Sequence, residues 1–280
     1  MGSEKIVRIG IVAPGSGIDP GLAERVRALA ATRHGGCVEL RFHSQCFLTR
    51  GHFAGDDTAR ADAFLDCAND PALDAVWIAR GGYGSCRIVP RVLDRLEPAA
   101  AGKAYLGYSD AGALLSALYG RGLTGVAHGP MPADILRDGG EAAVARALAW
   151  LIERDPSVLE SSLDGTASAA AFNLTILSHL LGTPFEPDLA RHVLMIEDVS
   201  EHLYRIDRAL CQVTRNAGIR RVAGIRLGRV SAVPPNDPDF GQTPEEIVRD
   251  WCTESGIAWL GRADIGHDVD NKIVPFGFVA

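Results

Sequence analysis

A serine stands at a predicted turn between a strand and a helix. Residues 107–112 read Gly-Tyr-Ser-Asp-Ala-Gly, after a short apolar run and before a helix-forming run at 113–118. On such a turn the hydroxyl of Ser109 projects from the sheet, and the N–H groups that open the helix face a developing oxyanion. The pattern indicates a nucleophile elbow, although Ala111 replaces the last glycine of the usual motif. The alternative interpretation is that Ser109 or Asp110 caps the helix.

A glycine-rich loop follows the predicted strand that contains Trp77. Residues 79–85 read Ala-Arg-Gly-Gly-Tyr-Gly-Ser, and glycines let backbone N–H groups approach a ligand closely. Because the carboxyl ends of parallel strands meet at one edge of a sheet, we expect this loop and Ser109 to line the same crevice. The loop is not a dinucleotide fingerprint, since Arg87 stands where the third glycine is required. A purely structural turn is the alternative.

A serine hydroxyl is a weak nucleophile near neutral pH and needs a neighbouring base, which in turn needs an orienting acid. Among the eight histidines, His267 is distinguished by its place in residues 264–271, Asp-Ile-Gly-His-Asp-Val-Asp-Asn, a loop just after a predicted strand. His128 also follows a predicted strand and is the rival candidate. The sequence therefore offers two candidate bases.

Two carboxylates, Glu197 and Asp198, come directly after the apolar run 193–196. A carboxylate that emerges from apolar residues tends to be held rigidly and partly desolvated, which suits the orientation of an imidazole. Glu201 lies on the helix that follows, where pairing at the surface or within the helix is expected. We therefore favour Glu197 as the acid, with Asp198 and Glu201 as alternatives.

The composition is that of an ordinary globular protein. The chain has 280 residues, 47% hydrophobic and 22% charged, which is enough to form a core without a disulfide or a metal. With 28 Lys and Arg against 35 Asp and Glu, no basic run is long enough for a dedicated nucleic-acid binder. The charged N-terminus does not resemble a signal peptide, and no stretch approaches the roughly 18 apolar residues of a membrane span. We predict a cytoplasmic protein without a membrane or nucleic-acid partner.

Strand and helix patterns alternate along the first half of the chain, which is typical of a parallel sheet covered by helices. Strands are predicted at residues 7–13, 37–42, 75–79 and 104–108, and helices at 20–33, 57–69, 87–96 and 110–121. A further polar helix ends near residue 153. This half, residues 1–153, is predicted to be the domain that carries the elbow.

The polar stretch 154–166 is predicted to be a linker, and residues 167–280 a second domain. The second domain is expected to contain helices at 172–181, 201–216 and 244–254, and strands at 192–196, 222–230 and 257–260. Glu197 and His267 both fall within it.

The motifs together resemble the serine LD-carboxypeptidase family, whose relatives include peptidases that inactivate the peptide-nucleotide antibiotic microcin C. The resemblance spans the whole chain. Its parts are residues 9–16, 80–84 and 107–110, Asn173 and Leu174 ahead of 180–184, residues 197–201 with 204–208, and Gly266 and His267 near Asn271 and Pro275. Each part is weak alone, and their common order makes the resemblance specific.

The resemblance implies a Ser-His-Glu triad. Ser109 would be the nucleophile, His267 the general base and then acid, and Glu197 the carboxylate that orients His267. The oxyanion hole would be formed by backbone N–H groups of Gly82 and Asp110. The implied fold is a flavodoxin-like N-terminal domain, related to class I glutamine amidotransferases, with a smaller C-terminal α/β domain that carries the glutamate and the histidine.

The implied reaction is hydrolysis of the amide before a C-terminal D-amino acid, as in the conversion of murein tetrapeptide to tripeptide. No metal or other cofactor is implied, and a homodimer is expected. Arg80 or Arg205 could bind a substrate carboxylate, or either could be a structural ion pair. A peptidyl-nucleotide of the microcin C type is the alternative substrate, and an α/β-hydrolase esterase and a non-catalytic two-lobed ligand-binding protein are the rival interpretations.

The sequence departs from the family pattern at two places near these residues. Alanines and Phe172 occupy 169–172, where glycines are expected. Asp268 follows His267, where family members commonly have glycine. A second carboxylate beside the imidazole would stabilise its protonated form or disturb its orientation.

Overall fold

The computed structural model describes residues 6–277, which form ten strands and eight α-helices. The strands are β1 Val7–Val12, β2 Val38–Phe42, β3 Ala75–Ile78, β4 Ala104–Gly107, β5 Val126–His128, β6 Ala169–Asn173, β7 Val193–Val199, β8 Gly224–Ser231, β9 Trp259–Arg262 and β10 Val274–Pro275. The helices are α1 Pro20–His34, α2 Asp57–Asn69, α3 Ser85–Leu93, α4 Gly112–Gly120, α5 Gly140–Glu153, α6 Leu174–Leu180, α7 Leu203–Arg215 and α8 Pro244–Ser255. None of the helices within residues 6–277 is long and apolar enough to cross a membrane.

The first sheet has the strand order β10-β5-β4-β3-β1-β2. Strands β1 to β5 run parallel in the order 2-1-3-4-5, which is the flavodoxin-like arrangement. This confirms the expected fold of the N-terminal half. The short strand β10 pairs antiparallel with β5, so the end of the chain returns to the first sheet.

The second sheet has the order β6-β7-β8-β9 and is parallel throughout. It forms the smaller α/β domain, as expected. The predicted helix at 172–181 begins too early, because Ala169–Asn173 is a fully buried strand. Its three alanines suit a helix equally well, and only pairing with β7 makes this segment extended. Helix α6 starts after Asn173, whose side chain caps it by accepting from the N–H of Ile176 at 3.1 Å.

A continuous apolar core joins the two sheets. Leu114 and Leu118 of α4 belong to the same buried cluster as Phe172 and Leu177. The ring of Phe172 lies 5.1 Å from that of Phe276, just after β10. This packing fixes the two sheets relative to each other, which matters because the candidate serine and the candidate glutamate lie on different sheets.

Candidate active site

Four of the candidate residues line one pocket at the carboxyl edge of the first sheet, namely Ser109, His267, Gly82 and Arg80, whereas Asp110, Glu197 and Arg205 do not line it. The cavity is about 440 Å³. Its lining comes from the loops after β1, β3, β4 and β5, together with one histidine from the loop after β9, and comprises Gly17, Ile18, Asp19, Leu22, Arg80, Gly81, Gly82, Tyr108, Ser109, Met131, Ala133, Asp134, Leu136, Arg137 and His267. In a doubly wound sheet this edge is where ligands bind.

Ser109 occupies a strained turn between β4 and α4. Its φ of 62° lies in the left-handed region, which a residue with a side chain rarely adopts and which costs about 1 kcal/mol or more. A Cβ on Gly81 would lie 3.0 Å from Oγ of Ser109, so the glycine-rich loop runs directly against the hydroxyl. The two motifs that the sequence singles out are therefore in contact.

Asp110 links these two motifs and does not cap α4. Its carboxylate accepts hydrogen bonds from the backbone N–H of Ser85 at 2.8 Å and from the Ser85 hydroxyl at 2.6 Å. The cap position of α4 is Ala111, without a side-chain hydrogen bond. The alternative in which Ser109 or Asp110 caps this helix is therefore wrong. Gly82, the other predicted oxyanion residue, lies in the same pocket with a φ of 101°.

His267 is held by Glu197. Nδ1 of the imidazole lies 2.6 Å from Oε2 of Glu197, and the two side chains are 9% and 0% exposed. Since an ionised carboxylate only accepts, Nδ1–H is the donor, and in the neutral imidazole Nε2 then carries the lone pair. Among the described residues, Nε2 is buried and has no hydrogen-bond partner. His267, which lines the pocket of Ser109, therefore has a buried Nε2 that is available to accept a proton.

Burial raises the pKa of the Glu197 carboxyl above its usual range, and the hydrogen bond from His267 opposes this rise. The apolar run predicts a strand that ends before Glu197, whereas β7 continues to Val199, so the glutamate lies within the strand, where its register with β8 shifts between Ile196 and Asp198. The side chain is completely buried, so its charge acts on the imidazole with little screening by solvent.

The alternative acids are engaged elsewhere. Asp198 accepts hydrogen bonds from Nδ2 of Asn173 at 2.9 Å and from the N–H and hydroxyl of Thr175 at 3.0 and 2.9 Å, and so secures the start of α6. Glu201 forms an ion pair with Arg205 at 3.5 Å. Of the three carboxylates considered, Glu197 is the one that bonds His267.

The rival base, His128, forms part of a support behind His267. Its Nε2–H donates to Oδ1 of Asn271 at 3.0 Å, and the N–H of Gly266 donates to the same oxygen at 3.2 Å. Burial lowers the pKa of His128 to about 4, so this side chain is neutral near pH 7. It does not line the serine pocket. The sequence gives no signal for this contact, which joins residues 143 positions apart.

Tyr108, next to the candidate nucleophile, packs on the candidate base. Its ring centroid lies 4.9 Å from that of His267, and its hydroxyl donates to Asp134 at 2.8 Å. Asp134 also accepts from Nε of Arg137 at 3.0 Å. Sequence patterns did not single out these three residues, although Tyr108 is adjacent to Ser109.

Arg80 and Arg205, the two residues predicted to bind a substrate carboxylate, line different depressions of the surface. Arg80 is exposed, lines the serine pocket, and donates weakly to the carbonyl of Gly17 at 3.3 Å. Arg205 lines a separate depression together with Thr175, Glu201 and Arg208. The structure therefore brings Arg80, but not Arg205, to the pocket of Ser109. Within residues 6–277, no group of three or more His, Cys, Asp or Glu side chains is arranged to hold a metal ion.

Comparisons with known proteins cover nearly the whole chain. The profile of the LD-carboxypeptidase N-terminal domain matches residues 9–129, and that of the LD-carboxypeptidase C-terminal domain matches residues 168–280. A carboxypeptidase homologue from Synechocystis sp. is 35% identical over 81% of this chain and 75% of its own length. The murein tetrapeptide carboxypeptidase of Pseudomonas aeruginosa is 28% identical over 98% of this chain and 92% of its own.

A solved structure with the same fold is the microcin C7 self-immunity protein MccF in complex with aspartyl sulfamoyl adenosine. It has a TM-score of 0.79 and 17% identity, and the match covers 98% of this chain and 92% of MccF. At that identity the likeness shows the fold alone. The two domain profiles and the relative at 35% identity show the family: the chain belongs to the LD-carboxypeptidase family of peptidases.

Proposed function

We propose that this chain is a serine LD-carboxypeptidase that hydrolyses the amide before a C-terminal D-amino acid. Ser109 is the nucleophile, His267 the general base, and Glu197 the carboxylate that orients the imidazole. The observation that carries this proposal is the 2.6 Å contact between Nδ1 of His267 and Glu197 in a pocket shared with Ser109. With Nδ1 occupied, Nε2 is the nitrogen that can accept the serine proton.

In the acylation step, Oγ of Ser109 transfers its proton to Nε2 of His267 and attacks the substrate carbonyl carbon. The carbonyl oxygen becomes an oxyanion, which the backbone N–H groups of Gly82 and Asp110 stabilise. His267 then returns the proton from Nε2 to the leaving amine, and the C–N bond breaks. A D-amino acid departs, and an ester joins the remaining peptide to Ser109.

In the deacylation step, water replaces the leaving amine. Nε2 of His267 takes a proton from the water as its oxygen attacks the ester carbonyl. The same nitrogen then protonates Oγ of Ser109, which leaves as the free hydroxyl. The shortened peptide is released with a new carboxylate, and the residues return to their starting protonation states.

The imidazolium that forms in both steps explains why a buried carboxylate is placed beside His267. A negative charge that contacts Nδ1–H favours the protonated imidazole in the transition state, and a site without water strengthens this attraction. The rigid position of Glu197 within β7 means that little reorganisation accompanies the charge change.

The pocket suits a small peptide. Its volume of about 440 Å³ is in the range of small-molecule sites, and Arg80 presents an exposed guanidinium at its rim. We assign Arg80 to the substrate carboxylate, because a guanidinium can bind a carboxylate through two hydrogen bonds. Arg205 is the weaker candidate because it lines a different depression.

A microcin-type aminoacyl nucleotide is the second candidate substrate. The likeness to MccF, whose TM-score of 0.79 extends over almost the whole chain, is the reason to consider this substrate. Sequence favours the murein peptide, since identity is 28% with the Pseudomonas carboxypeptidase and 17% with MccF. We therefore place the murein tetrapeptide first.

Mass spectrometry of purified protein with each substrate separates these candidates. We expect loss of D-alanine from murein tetrapeptide, and no reaction with the diastereomer that ends in L-alanine. Cleavage of processed microcin C alone would make the chain a detoxifying peptidase. No reaction with any of the three would favour a two-lobed binding protein.

We further propose that the protein acts in the cytoplasm as a homodimer and that residues 154–166 join its two domains. The frequency of two-fold dimers among oligomeric proteins supports the homodimer. Light scattering coupled to size-exclusion chromatography tests the dimer, for which a mass near twice 29.8 kDa is expected. Limited proteolysis that cuts first within 154–166 would support the division into domains.

A further inference from the structure

The loop that carries His267 is fastened from several sides. Nη1 of Arg146, on α5, donates to the carbonyls of Val269 at 2.9 Å and Asn271 at 3.0 Å. Oε1 of Glu160 accepts from the N–H of Asp264 at 3.0 Å. These bonds fix the backbone of the loop, but none of them involves the carboxylate that directly follows the histidine.

That carboxylate, on Asp268, is taken up by Arg229 of β8. Nη2 of Arg229 donates to Oδ1 of Asp268 at 2.8 Å, and Nε donates to Oδ2. The carboxylate is folded back over Gly266, where an added Cβ would lie 3.1 Å from Oδ2. Nη1 of Arg229 also bonds Asp264, so one guanidinium binds acids on both sides of the histidine.

The backbone of Arg229 is tied to the same loop. Its N–H donates to the carbonyl of Ile265 at 2.8 Å, and its side chain is 30% exposed. The guanidinium is therefore held on a strand and is partly shielded from solvent. A bidentate pair of this kind has a defined geometry, unlike an ordinary exposed ion pair.

The titratable side chains around His267 come from several strands and loops. Glu197 of β7 bonds it, Tyr108 after β4 packs on its ring, and neutral His128 of β5 lies behind it. Asp268 directly follows His267 in the sequence, and its carboxylate forms an ion pair with Arg229. Arg146 of α5 lies close enough to Asp264, Asp268 and Asp270 to interact with each of them.

We propose that Arg229 is a positioning residue for His267: its two-point ion pair holds the Asp268 carboxylate away from the imidazole, so that Glu197 alone orients it. This inference rests on the proposed role of His267 as the general base. It explains how the chain carries an acid beside its catalytic base. Without the guanidinium, the freed carboxylate would stabilise the imidazolium and keep Nε2 protonated at higher pH.

Three variants test this: Arg229→Gln, Asp268→Asn and the double variant. The readout is the pH profile of kcat/KM for D-alanine release. We expect Arg229→Gln to move the acidic limb upward by about one pH unit, so that kcat/KM falls by up to about tenfold on that limb and recovers at higher pH, with KM changed less than about threefold. Asp268→Asn should keep the acidic limb of the wild-type protein. The double variant should return the limb to the wild-type position, because the carboxylate that causes the shift is gone.

The double variant separates this role from a purely structural one. If the ion pair only fastens the loop, Arg229→Gln and Asp268→Asn would impair kcat equally, and the double variant would be no better than either. That result, or an unshifted profile for Arg229→Gln, would overturn the proposal. Arg226→Gln is the matched control, since Arg226 lies on the same strand and donates to the carbonyl of Arg262 instead.

A second readout does not depend on activity. The protonation midpoint of His267 can be followed by NMR through its Cε1–H resonance in each folded variant. We expect the midpoint to rise by about one pH unit in Arg229→Gln and to return in the double variant. An inactive protein that shows this pattern would refute the proposed reaction and keep the positioning role. Identical midpoints in all variants would refute the positioning role.

Discussion

Replacement of Glu197 by glutamine perturbs the proposed triad with little change in shape. Glu197→Gln keeps the length of the side chain and removes its negative charge. In the native protein Oε2 lies 2.6 Å from Nδ1 of His267, and the glutamate side chain is completely buried. The substitution therefore removes the carboxylate that bonds the imidazole, at a position where water cannot take its place.

The size of the effect follows from this geometry. A nitrogen–oxygen distance of 2.6 Å places the centres of the two charges about 4 Å apart. At an effective dielectric constant of about 20, their attraction is about 4 kcal/mol. Because about 1.4 kcal/mol corresponds to a tenfold rate change, kcat should fall about a thousandfold. The interaction develops as the imidazole becomes charged, so KM should change less than about threefold.

The assay is steady-state release of D-alanine from murein tetrapeptide, with thermal unfolding to establish that each variant is folded. Glu201→Gln is the control, since it makes the same substitution at a residue paired with Arg205 outside the serine pocket. We expect this control to keep kcat within about threefold of the wild-type value. If Glu197→Gln kept more than a tenth of the wild-type kcat, or if Glu201→Gln lost as much, the assignment of Glu197 would be refuted.

Three further changes probe the surroundings of the triad. Gly81→Ala would place a Cβ 3.0 Å from Oγ of Ser109, so we expect kcat/KM to fall at least about tenfold with little loss of thermal stability; unchanged kinetics would contradict the close approach of the loop. Asn271→Ala leaves the buried N–H donors of His128 and Gly266 without their acceptor. The free energy of unfolding, measured by urea titration, should therefore fall by about 2–4 kcal/mol. A loss below about 0.5 kcal/mol would show that these two hydrogen bonds contribute little to stability. Burial lowers the pKa of His128 from 6.5 to about 4, so between these pH values the unfolded chain binds a proton that the folded protein does not. The free energy of unfolding should therefore fall by up to about 3 kcal/mol as the pH drops from about 6.5 to 4. His128→Gln should make that part of the pH–stability curve flatter, and a curve of unchanged slope would show that other groups cause the acid sensitivity.

Much of the N-terminal domain was predictable because its signals are local. Short apolar runs mark β1, β3 and β4, and the parallel arrangement of these strands brings the loops after them to one edge of the sheet. That rule predicts that the glycine-rich loop and Ser109 line the same crevice, and Gly81, Gly82 and Ser109 do line one pocket. The apolar run 193–196 also pointed to Glu197 as a buried acid, although the strand β7 continues past it to Val199.

The parts that could not be predicted depend on contacts between distant segments. The alanines of β6 have a strong helix propensity, and their extended form comes from pairing with β7. The return of β10 to the first sheet joins residues almost 150 positions apart, as Val274 pairs with His128. The same return places Asn271 beside His128. No local pattern encodes these partners.

The position of Asp268 shows a different limit of the sequence. Because Asp268 directly follows the candidate base His267, the sequence predicts that its carboxylate would stabilise the protonated imidazole or disturb its orientation. The structure turns its carboxylate toward Arg229, which lies 39 residues earlier on strand β8. Similarly, Arg205 belongs to a motif of the family resemblance, but it lines another depression. Charge and spacing identify candidate groups, and only the fold determines which charges meet.

The most direct test of the central claim is the turnover of murein tetrapeptide by Ser109→Ala compared with the wild-type protein. Release of D-alanine is measured by mass spectrometry at saturating substrate, with Ser161→Ala, an exposed serine, as the matched control. A nucleophile that forms the covalent intermediate is indispensable, so we predict that Ser109→Ala loses at least about a thousandfold in kcat and remains folded. A folded Ser109→Ala variant that releases D-alanine at more than a tenth of the wild-type rate would contradict the account.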